Sequence, residues 1–286
     1  MASILDLPDF MFSNQKRIYS RFSKLYLTIF GLFIGFIYKK TSGKLFCSII
    51  NLFFPRDGKI NYSGEFYFKK LWNDSLFFYP NKRIDRIIVD HKAHFNFLFE
   101  TYCLDEINFN SEDLIIDCGA NVGELYMSLL LKEKSCKYVA FEPDPISYSA
   151  LSRNLKQYEL ETFELALSNT EGTSEFFLNP EGADSSLVYF GSDSSVEVNT
   201  KALDSFKYPQ IKLLKIEAEG AELEVLQGSV DTLSNVEYIS VDYGPERGVN
   251  SESTNPEIVD FLYTHDFKLI KVSKHRQVGL FKNSSI

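Results

Sequence analysis

Hydrophobic and polar positions follow two different periods in the second half of the chain. From residue 111 onward, short runs rich in β-branched and aromatic residues alternate with stretches in which apolar residues recur at helical spacing. Strands that alternate with helices in this way are typical of β-α-β units and of a parallel sheet. The pattern predicts an α/β fold with seven strands, at residues 114–118, 137–142, 161–167, 213–217, 236–242, 267–272 and 278–282.

The connections between these strands refine the prediction. The last two strands are separated only by residues 273–277, so they are expected to pair antiparallel at the edge of a mostly parallel sheet. Between residues 168 and 212, short strands punctuated by Gly and Asp predict a hairpin insertion in place of a helix, with strands at 173–178, 186–190 and 196–200. Helices are predicted at residues 122–133, 145–158, 221–228 and 256–265.

The first 110 residues have a different pattern. Residues 25–38 carry no charge and are flanked by Lys and Arg, and a second apolar patch follows at 45–54. Fourteen helical residues rise about 21 Å, less than the roughly 30 Å of a bilayer core, which favours an interfacial, re-entrant or buried helix over a membrane span. Residues 61–110 are interpreted as a helical lead-in that caps the substrate side. We therefore expect three parts, 1–60, 61–110 and 111–286.

Charge narrows the possible partners. The formal net charge is −9, yet residues 1–60 carry nine Lys and Arg against three Asp and Glu, so the rest of the chain is strongly acidic. An acidic surface repels phosphate backbones, which excludes nucleic acid as the expected substrate. The basic, apolar N-terminal part suits either packing on the main domain or peripheral membrane contact. Four scattered cysteines without zinc spacing predict no metal site and a reducing, cytoplasmic compartment, with the inner face of the membrane as a possible location.

A glycine-containing turn after the first predicted strand is the first sign of chemistry. Asp117 ends that strand, Gly119 and Gly123 form the turn, and Glu142 closes the next strand. A carboxylate at that place in a doubly wound sheet accepts ribose hydroxyls, which indicates a cofactor that contains adenosine. Asn121 replaces the middle glycine of a dinucleotide fingerprint, and the acidic site would attract a sulfonium. These residues therefore favour S-adenosylmethionine over NAD.

Four residues are candidates for catalysis. Glu217 and Asp242 each end a predicted buried strand and should meet at the carboxyl edge of the sheet. Glu217 would bind the ammonium of the cofactor, orient an acceptor hydroxyl or take its proton, and spacing does not separate these roles. The two acids together are also compatible with a Mg²⁺ ion, as a secondary alternative. His91 and His94 are candidates for a general base.

Taken in order, five motifs resemble the FkbM-type S-adenosylmethionine-dependent methyltransferases of the class I Rossmann-like fold. They are D-C-G-A-N-V-G at 117–123, F-E-P-D-P at 141–145, A-L-S-N at 166–169, D-S-S at 184–186 and K-I-E-A-E-G-A-E at 215–222. The family usually has Asp where this chain has Glu217, which leaves the charge in place but changes its reach. The resemblance covers about residues 110–285.

The resemblance implies a role for each matching residue of the cofactor site. Residues of the first motif would line the methionine part of the cofactor, Glu142 would hold its ribose, and residues of the F-E-P-D-P and A-L-S-N motifs would flank the adenine. The cofactor-binding residues that it implies are Asp117, Gly119, Ala120, Asn121, Gly123, Glu142, Pro143, Asp144, Ala166, Leu167 and Ser168.

The resemblance also implies a function. Hydroxyl acceptors in the family, together with the basic apolar N-terminal part, predict O-methylation of a saccharide or glycolipid. The alternatives are an N- or C-methyltransferase of a small metabolite or peptide, a membrane-tethered cofactor-binding scaffold without catalysis, and a nicotinamide oxidoreductase.

Overall fold

The protein is described by a computed structural model at residues 21–54, 59–179 and 185–286. The chain divides into two compact units, Met1–Phe97 and Leu98–Ile286. The second unit contains the predicted α/β domain, and it begins in the helix that precedes the first strand of that domain. Residues 1–20 of the N-terminal part and Asp184 of the D-S-S motif lie outside the described residues.

The first unit combines two N-terminal helices with a small sheet, a 3₁₀ helix and the first turns of a third helix. Both apolar runs of the N-terminal part form helices. The helical lead-in expected over residues 61–110 is wrong in its first part, because residues 60–79 form a three-stranded antiparallel sheet in the order β1-β2-β3. The elements are α1 (Arg21–Lys40), α2 (Gly43–Phe53), β1 (Ile60–Tyr62), β2 (Tyr67–Lys70), β3 (Leu76–Tyr79) and α3 (His91–Thr101), with a 3₁₀ helix at Lys82–Ile87.

Helix α2 is fixed to this sheet by side-chain contacts. The amide of Asn51 donates to the carbonyl of Ile60 at 2.8 Å, and its oxygen accepts from the backbone N–H of Ile60 at 2.9 Å. The ring of Phe46, fully buried, packs edge-on against Tyr67 with centroids 5.8 Å apart. The hydroxyl of Tyr67 accepts from the N–H of Gly43 at the start of the helix. These contacts make α2 part of the folded unit.

Helices α1 and α2 pack on each other through aromatic rings. Phe53 contacts Phe30 and Phe33, with ring centroids 5.8 and 5.5 Å apart. Lys82 donates to the carbonyl oxygens of Tyr38 and Thr41 at the end of α1. Within the described part of the chain, none of the helices has the length and apolar content needed to cross a bilayer.

The second unit is built on a seven-stranded sheet in the order β14-β15-β11-β10-β4-β5-β6. All neighbouring pairs are parallel except those that involve β15, which is antiparallel to both β11 and β14. The predicted antiparallel pair at the sheet edge is confirmed, with β14 as the outermost strand. The strands are β4 (Leu114–Cys118), β5 (Lys137–Phe141), β6 (Glu161–Phe163), β10 (Ile211–Ile216), β11 (Val236–Asp242), β14 (Phe267–Val272) and β15 (Val278–Asn283).

The predicted hairpin insertion forms a second small sheet, in the order β7-β9-β8. The run predicted as one strand over 161–167 splits, because its last two residues leave the main sheet and pair in parallel with β9. The strand predicted at 186–190 is wrong, since Ser186 makes only an isolated bridge to Phe177. The insertion strands are β7 (Ala166–Leu167), β8 (Gly172–Phe177) and β9 (Ser195–Lys201), and β12 (Pro245–Arg247) pairs with β13 (Glu252–Ser253) further along the chain.

The helices of this unit follow the predicted order, and local sequence explains the start of one of them. Asp144 precedes a helix that opens on Pro145, and its carboxylate accepts from the N–H of Ile146 at 3.1 Å. Proline at the first helical position loses no hydrogen bond, and an acidic N-cap satisfies a free donor. Pro256 is the second residue of the last helix, whose N-cap residue Thr254 makes no side-chain capping bond. The helices are α4 (Glu124–Leu131), α5 (Pro145–Leu155), α6 (Glu222–Gln227), α7 (Val230–Leu233) and α8 (Asn255–Thr264).

The core of the second unit lies against the central strands. Ile116, Leu214, Ile216, Ile239 and other fully buried side chains of β4, β10 and β11 form one continuous apolar cluster. Strands buried on both faces are typical of a sheet covered by helices. Polar groups at the carboxyl ends of β4, β10 and β11 are therefore held at defined positions by a rigid support.

Candidate active site

The turn after β4 requires glycine at its first position. Gly119 has a positive φ of +74°, and a Cβ atom added to it would lie 1.9 Å from the carbonyl oxygen of Glu217. Its N–H and that of Ala120 both donate to the carbonyl of Phe141 at 3.0 Å. The turn is thus held against the end of β10, at the carboxyl edge of the sheet, with no space for a side chain at Gly119.

Gly123 closes the same turn and forms the N-cap of α4. Its φ is +89°, and an added Cβ would lie 3.1 Å from Leu151. Asn121, between the two glycines, also has a positive φ of +49°. Three left-handed residues within five positions make the sharp bend that directs the backbone toward a ligand.

Glu142 connects the turn to the end of β5. One oxygen of its carboxyl group accepts from the N–H of Asn121 at 2.7 Å, and the other accepts from the N–H of Asp144 at 2.9 Å. Burial raises the pKa of Glu142 to about 7, although both amide hydrogen bonds oppose this. A carboxylate accepts about four hydrogen bonds, so its two oxygens keep capacity for two hydroxyl groups.

The residues predicted beside an adenine are placed by the next loop and by the small sheet. Asp144 caps helix α5 and also accepts from the hydroxyl of Ser147 at 2.7 Å. Ala166 and Leu167 are the buried residues of β7, and the N–H of Ser168 donates to the carbonyl of Lys201 at 2.9 Å. Their contact with a ligand stays a prediction.

Lys215 is a buried cation that the sequence analysis did not identify as functional. Its ammonium lies 2.9 Å from Oδ1 of Asp117 and 3.3 Å from Oε2 of Glu217. It also donates to the carbonyl of Cys118 at 3.2 Å and to that of Gly119 at 2.8 Å. Burial alone would lower the pKa of Lys215, but Asp117 and the other neighbouring acids raise it well above its usual value, so the cation persists.

Asp117 is therefore neutralised inside the protein. Its carboxylate is fully buried and also accepts a hydrogen bond from the hydroxyl of Tyr138 on the neighbouring strand. The sequence predicts that Asp117 lines the methionine part of a cofactor. In the structure its evident role is to hold Lys215 and, through it, the carbonyl groups of the glycine turn.

Glu217 follows directly after β10, at the predicted carboxyl edge. Its carboxylate accepts a hydrogen bond from the hydroxyl of Tyr102 and lies 2.6 Å from Nη1 of Arg276. Burial alone would raise its pKa, but Arg276 and Lys215 hold the pKa of Glu217 well below its usual range. A carboxylate kept ionised in this way is a weak proton acceptor, which favours an orienting role over that of a general base.

Arg276 joins three acids at this edge. It lies in the turn between β14 and β15, and its Nη2 atom is 2.7 Å from Oδ2 of Asp242 and 3.4 Å from Oε1 of Glu246. Asp242 is buried at the end of β11, beside Glu217, as the sequence predicts. Burial and Asp242 raise the pKa of Glu246 to about 8, against the opposing effect of Arg276. Glu246 is partly exposed, and its raised pKa lies close to that of a base active near neutral pH.

His91 and His94 lie in the first unit, on helix α3. Both are buried, and the ring of His91 stacks on Trp72 with centroids 5.6 Å apart. The ring of His94 packs beside Phe95. The structure gives these rings aromatic neighbours, and their proposed role as bases stays a prediction.

Metal binding was expected only as a secondary alternative. Across residues 21–54, 59–179 and 185–286, no group of three or more His, Cys, Asp or Glu side chains has the geometry of a metal site. Glu217 and Asp242, the acids considered for Mg²⁺, instead share the guanidinium of Arg276.

The site includes four residues that sequence reasoning missed, and each has a simple reason. Lys215 stands within a short apolar strand, where a lysine normally indicates the exposed face. Tyr102 and Arg276 are far from Glu217 along the chain and reach it only through the fold. Glu246 follows a strand by several residues, in a segment without a motif. The one signal in the sequence that could have pointed to the missed cations is the set of acids at the strand ends, because buried acids require cations to balance them.

The site fits an adenosine-containing, positively charged cofactor. Glu142 lies beside the glycine turn, and its two oxygens face separate loops and keep acceptor capacity. Asp117, Glu217, Asp242 and Glu246 outnumber the cations Lys215 and Arg276 among the described groups of this cluster. An excess of carboxyl groups favours a ligand with a positive charge.

A sheet of this strand order, with a glycine turn after its first strand and acids at the adjoining strand ends, is a Rossmann-like methyltransferase fold. The family profile described as the Methyltransferase FkbM domain matches residues 117–269, more than half of the chain. The chain belongs to the FkbM methyltransferase family, and it is a methyltransferase. This confirms the family that the five motifs predict.

Relatives of the chain include methyltransferases with different names. Methyltransferase sdnD of Sordaria araneosa is 30% identical over 194 residues, which cover 54% of this chain and 73% of the relative. Hexuronic acid methyltransferase AglP of Haloferax volcanii is 26% identical, covering 46% of this chain and 56% of AglP. The 2-O-methyltransferase NoeI of Sinorhizobium fredii is 22% identical, covering 53% of this chain and 71% of NoeI.

Among solved structures, the crystal structure of methyltransferase FkbM from Methylobacillus flagellatus KT is similar, with a TM-score of 0.45. It is 15% identical in sequence, and the match covers 69% of this chain and 56% of that chain.

Proposed function

We propose that this methyltransferase uses S-adenosylmethionine to methylate a hydroxyl group of a saccharide or glycolipid. The observation that supports the cofactor best is the arrangement of Glu142 and the glycine turn, where a buried carboxyl group is held by two backbone amides and keeps acceptor capacity. Such a carboxyl group suits the two hydroxyls of a ribose. When bound, the cofactor supplies a methyl group activated by the positive charge on its sulfur.

The residues of the chain would position the reactants. In this proposal Gly119, Ala120, Asn121 and Gly123 face the methionine part, with Asp117 holding the turn through Lys215. Pro143, Asp144 and the turn at Ala166, Leu167 and Ser168 flank the adenine. Alignment of the acceptor oxygen with the methyl group is the main contribution expected of such a site, on the order of 7–11 kcal/mol of the barrier.

The acids at the ends of β10 and β11 would bind the acceptor side. Glu217, held ionised by Lys215 and Arg276, is suited to orient a hydroxyl or to bind the cofactor ammonium. Glu246, with its raised pKa, is better suited to take the hydroxyl proton, a step worth roughly 10²- to 10⁴-fold in rate. The loss of a proton from the acceptor balances the methyl cation that the acceptor receives.

The choice of a saccharide acceptor draws on relatives. One is named a hexuronic acid methyltransferase and another a 2-O-methyltransferase. Carboxyl groups such as Glu217 and Asp242 are common hydrogen-bond acceptors for hydroxyl groups. Both observations support a polyhydroxylated acceptor for this chain.

The acceptor also suggests a location. A glycolipid presents its sugar at a membrane surface, so we propose a cytoplasmic enzyme that meets its acceptor at the inner face of the membrane. The four cysteines at positions 47, 103, 118 and 136 are free thiols, as a reducing compartment allows.

Calorimetry with S-adenosylhomocysteine and with NADH tests the cofactor. We expect micromolar binding of S-adenosylhomocysteine and no binding of NADH. Binding of NADH alone would refute the proposal and indicate an oxidoreductase. Binding of neither ligand by folded protein would refute a cofactor site at this turn.

Mass spectrometry of cellular glycans and glycolipids tests the acceptor. Cells with the active protein are compared with cells that carry the Glu142→Ala variant, which retains the chain but loses the proposed ribose contact. We expect a glycan that is heavier by one methylene group only in the first case. A difference confined to peptides or small metabolites would overturn the saccharide proposal and leave the cofactor proposal intact.

A further inference from the structure

Helix α1 exposes a continuous apolar stripe instead of burying it. The exposed positions are spaced by three or four residues, which places them on one side of a helix. Leu32 is 72% exposed and Phe36 is 61% exposed, while Ile34 and Ile37 on the other side are buried. The exposed members of the stripe on α1 are Phe22, Leu25, Ile29, Leu32, Phe33 and Phe36.

Helix α2 adds to the exposed apolar surface. Leu45, Leu52 and Phe53 are exposed, and Phe53 contacts Phe33 of the stripe directly. Together the two helices carry half of the strongly exposed large apolar side chains found among the described residues. Monomeric proteins rarely show such a contiguous patch without a partner.

Charge indicates what the partner is. Residues 21–54 contain no Asp or Glu. Arg21 lies exposed at one end of the stripe, and Lys39, Lys40 and Lys44 lie exposed near the other. The surface is apolar along its length, and the charges at its ends are all positive. Such a surface is complementary to a bilayer with anionic headgroups.

The dimensions fit a helix that lies in the membrane surface. The stripe runs from residue 22 to residue 36, about 21 Å along the axis. Among the described residues no helix is suited to cross a bilayer. In the surface orientation the aromatic and Leu side chains enter the acyl boundary, while long basic side chains reach the headgroups.

We propose that the exposed face of α1 and α2, here called the docking face, binds the surface of an anionic phospholipid bilayer. The docking face comprises the nine exposed apolar side chains named for these helices and the four basic residues at its ends. The inference rests on the proposed function in one respect, the inner leaflet, which is the anionic one. It goes beyond that function by naming the surface, the lipid charge and the orientation.

Vesicle co-sedimentation of the full chain tests the docking face without cofactor or acceptor. We expect binding to vesicles that contain phosphatidylglycerol and weaker binding to vesicles of phosphatidylcholine alone, because each basic residue near an anionic surface contributes roughly fivefold. The double variant Leu32→Glu/Phe36→Glu should lose at least about tenfold in binding. The double variant Lys39→Glu/Lys40→Glu should lose the preference for phosphatidylglycerol.

Val249→Glu is the matched control, since Val249 is 65% exposed but lies in the second unit. It should bind vesicles as the unaltered chain does. Circular dichroism and S-adenosylhomocysteine binding check that each variant is folded, and a failure of that ligand to bind any of them concerns the proposed function only.

Three outcomes would overturn the inference. The first is absence of vesicle binding by the unaltered chain, and the second is equal binding by the Leu32→Glu/Phe36→Glu variant. The third is sedimentation equilibrium that shows a dimer for the unaltered chain and a monomer for that variant, which would assign the docking face to a second copy of the chain.

Discussion

The ammonium of Lys215 lies 2.9 Å from Oδ1 of Asp117, and both side chains are almost completely buried. The same ammonium donates to two carbonyl groups at the glycine turn. A cation in this position holds together the ends of β4 and β10, since Asp117 belongs to one strand and Lys215 to the other. The shape of the turn therefore depends on an ion pair whose two partners both belong to the protein.

Lys215→Met tests this dependence. The substitution leaves the Asp117 carboxylate buried without its cation. Loss of one partner of a buried ion pair lowers the free energy of unfolding by about 3–5 kcal/mol. The matched control is Lys212→Met on the same strand, because Lys212 pairs with Glu237 at 2.7 Å in a more exposed position. We expect the control to lower the free energy of unfolding by less, because both of its side chains keep some contact with solvent. Urea denaturation measures both, and equal losses would contradict a special role for Lys215.

Gly119→Ala tests the close approach of the turn to β10. The new Cβ would meet the carbonyl oxygen of Glu217 at 1.9 Å, so backbone must move. We expect the free energy of unfolding to fall by about 1–2 kcal/mol because of the positive φ. The displacement of backbone should lower it by a further 1–3 kcal/mol or so. Affinity for S-adenosylhomocysteine should also fall, as calorimetry will measure.

Gly191→Ala is the control for that substitution. Gly191 also has a positive φ, +95°, but an added Cβ has open space around it. The free energy of unfolding should fall only by the cost of the backbone conformation, roughly 1–2 kcal/mol. Similar stability losses at both positions would show that the contact with Glu217 is unimportant.

Glu142→Ala should weaken the binding of S-adenosylhomocysteine while the protein remains folded. The loss of two hydrogen bonds to a charged group corresponds to roughly 10- to 100-fold in affinity when part of the loss is compensated. Exposed Glu197 on β9 supplies the control variant, Glu197→Ala, which should bind as before. Calorimetry compares the two variants. Unchanged affinity in Glu142→Ala would show that Glu142 does not bind the ribose.

Stability of the ligand-free protein should fall as the pH rises from about 5 to 8. Burial raises the pKa of Glu142 and of Glu222 to about 7 and that of Glu246 to about 8. The folded state then binds more protons than the unfolded state, so their contribution is present below pH 4.5 and is lost as the pH rises through the folded pKa. Glu217 has the opposite sign, because its lowered pKa stabilises the fold above about pH 4.5.

Thermal unfolding between pH 4 and 9 measures this dependence, with Glu222→Gln as the diagnostic variant. The Glu222 carboxyl accepts from the N–H groups of Ala218 and Gly220, and a neutral amide oxygen preserves both bonds. The variant should lose a pH-dependent contribution on the order of 2–3 kcal/mol. A slope identical to that of the unaltered protein would contradict the raised pKa of Glu222.

The sequence predicted the parallel sheet well because its strands are local apolar runs. The bounds of β4, β11 and β14 agree residue for residue with the prediction. The small sheet at residues 60–79 was missed because its strands have only three or four residues each, too few for alternation to be distinguished from chance.

Asp117, Glu217 and Asp242 were predicted as acids of the candidate site, but Glu246 and the counterions Lys215 and Arg276 were not. Glu217 and Asp242 stand at strand ends, a position that the hydrophobic pattern reveals. Arg276 lies in a short turn that looks like any exposed hairpin connection, and only the order of strands in the sheet brings it to those acids. Spatial neighbours that are distant along the chain depend on topology, which local patterns do not contain.

The position of Arg276 on the β14–β15 turn has a consequence for synthesis. A ribosome adds Glu217 and Asp242 to the chain before it adds Arg276, so both acids precede the guanidinium that neutralises them. Until β15 inserts between β11 and β14, that end of the half-built sheet carries charges it cannot yet bury. The ion pairs of Arg276 with Glu217 and Asp242 can therefore form only when this last hairpin docks on the sheet.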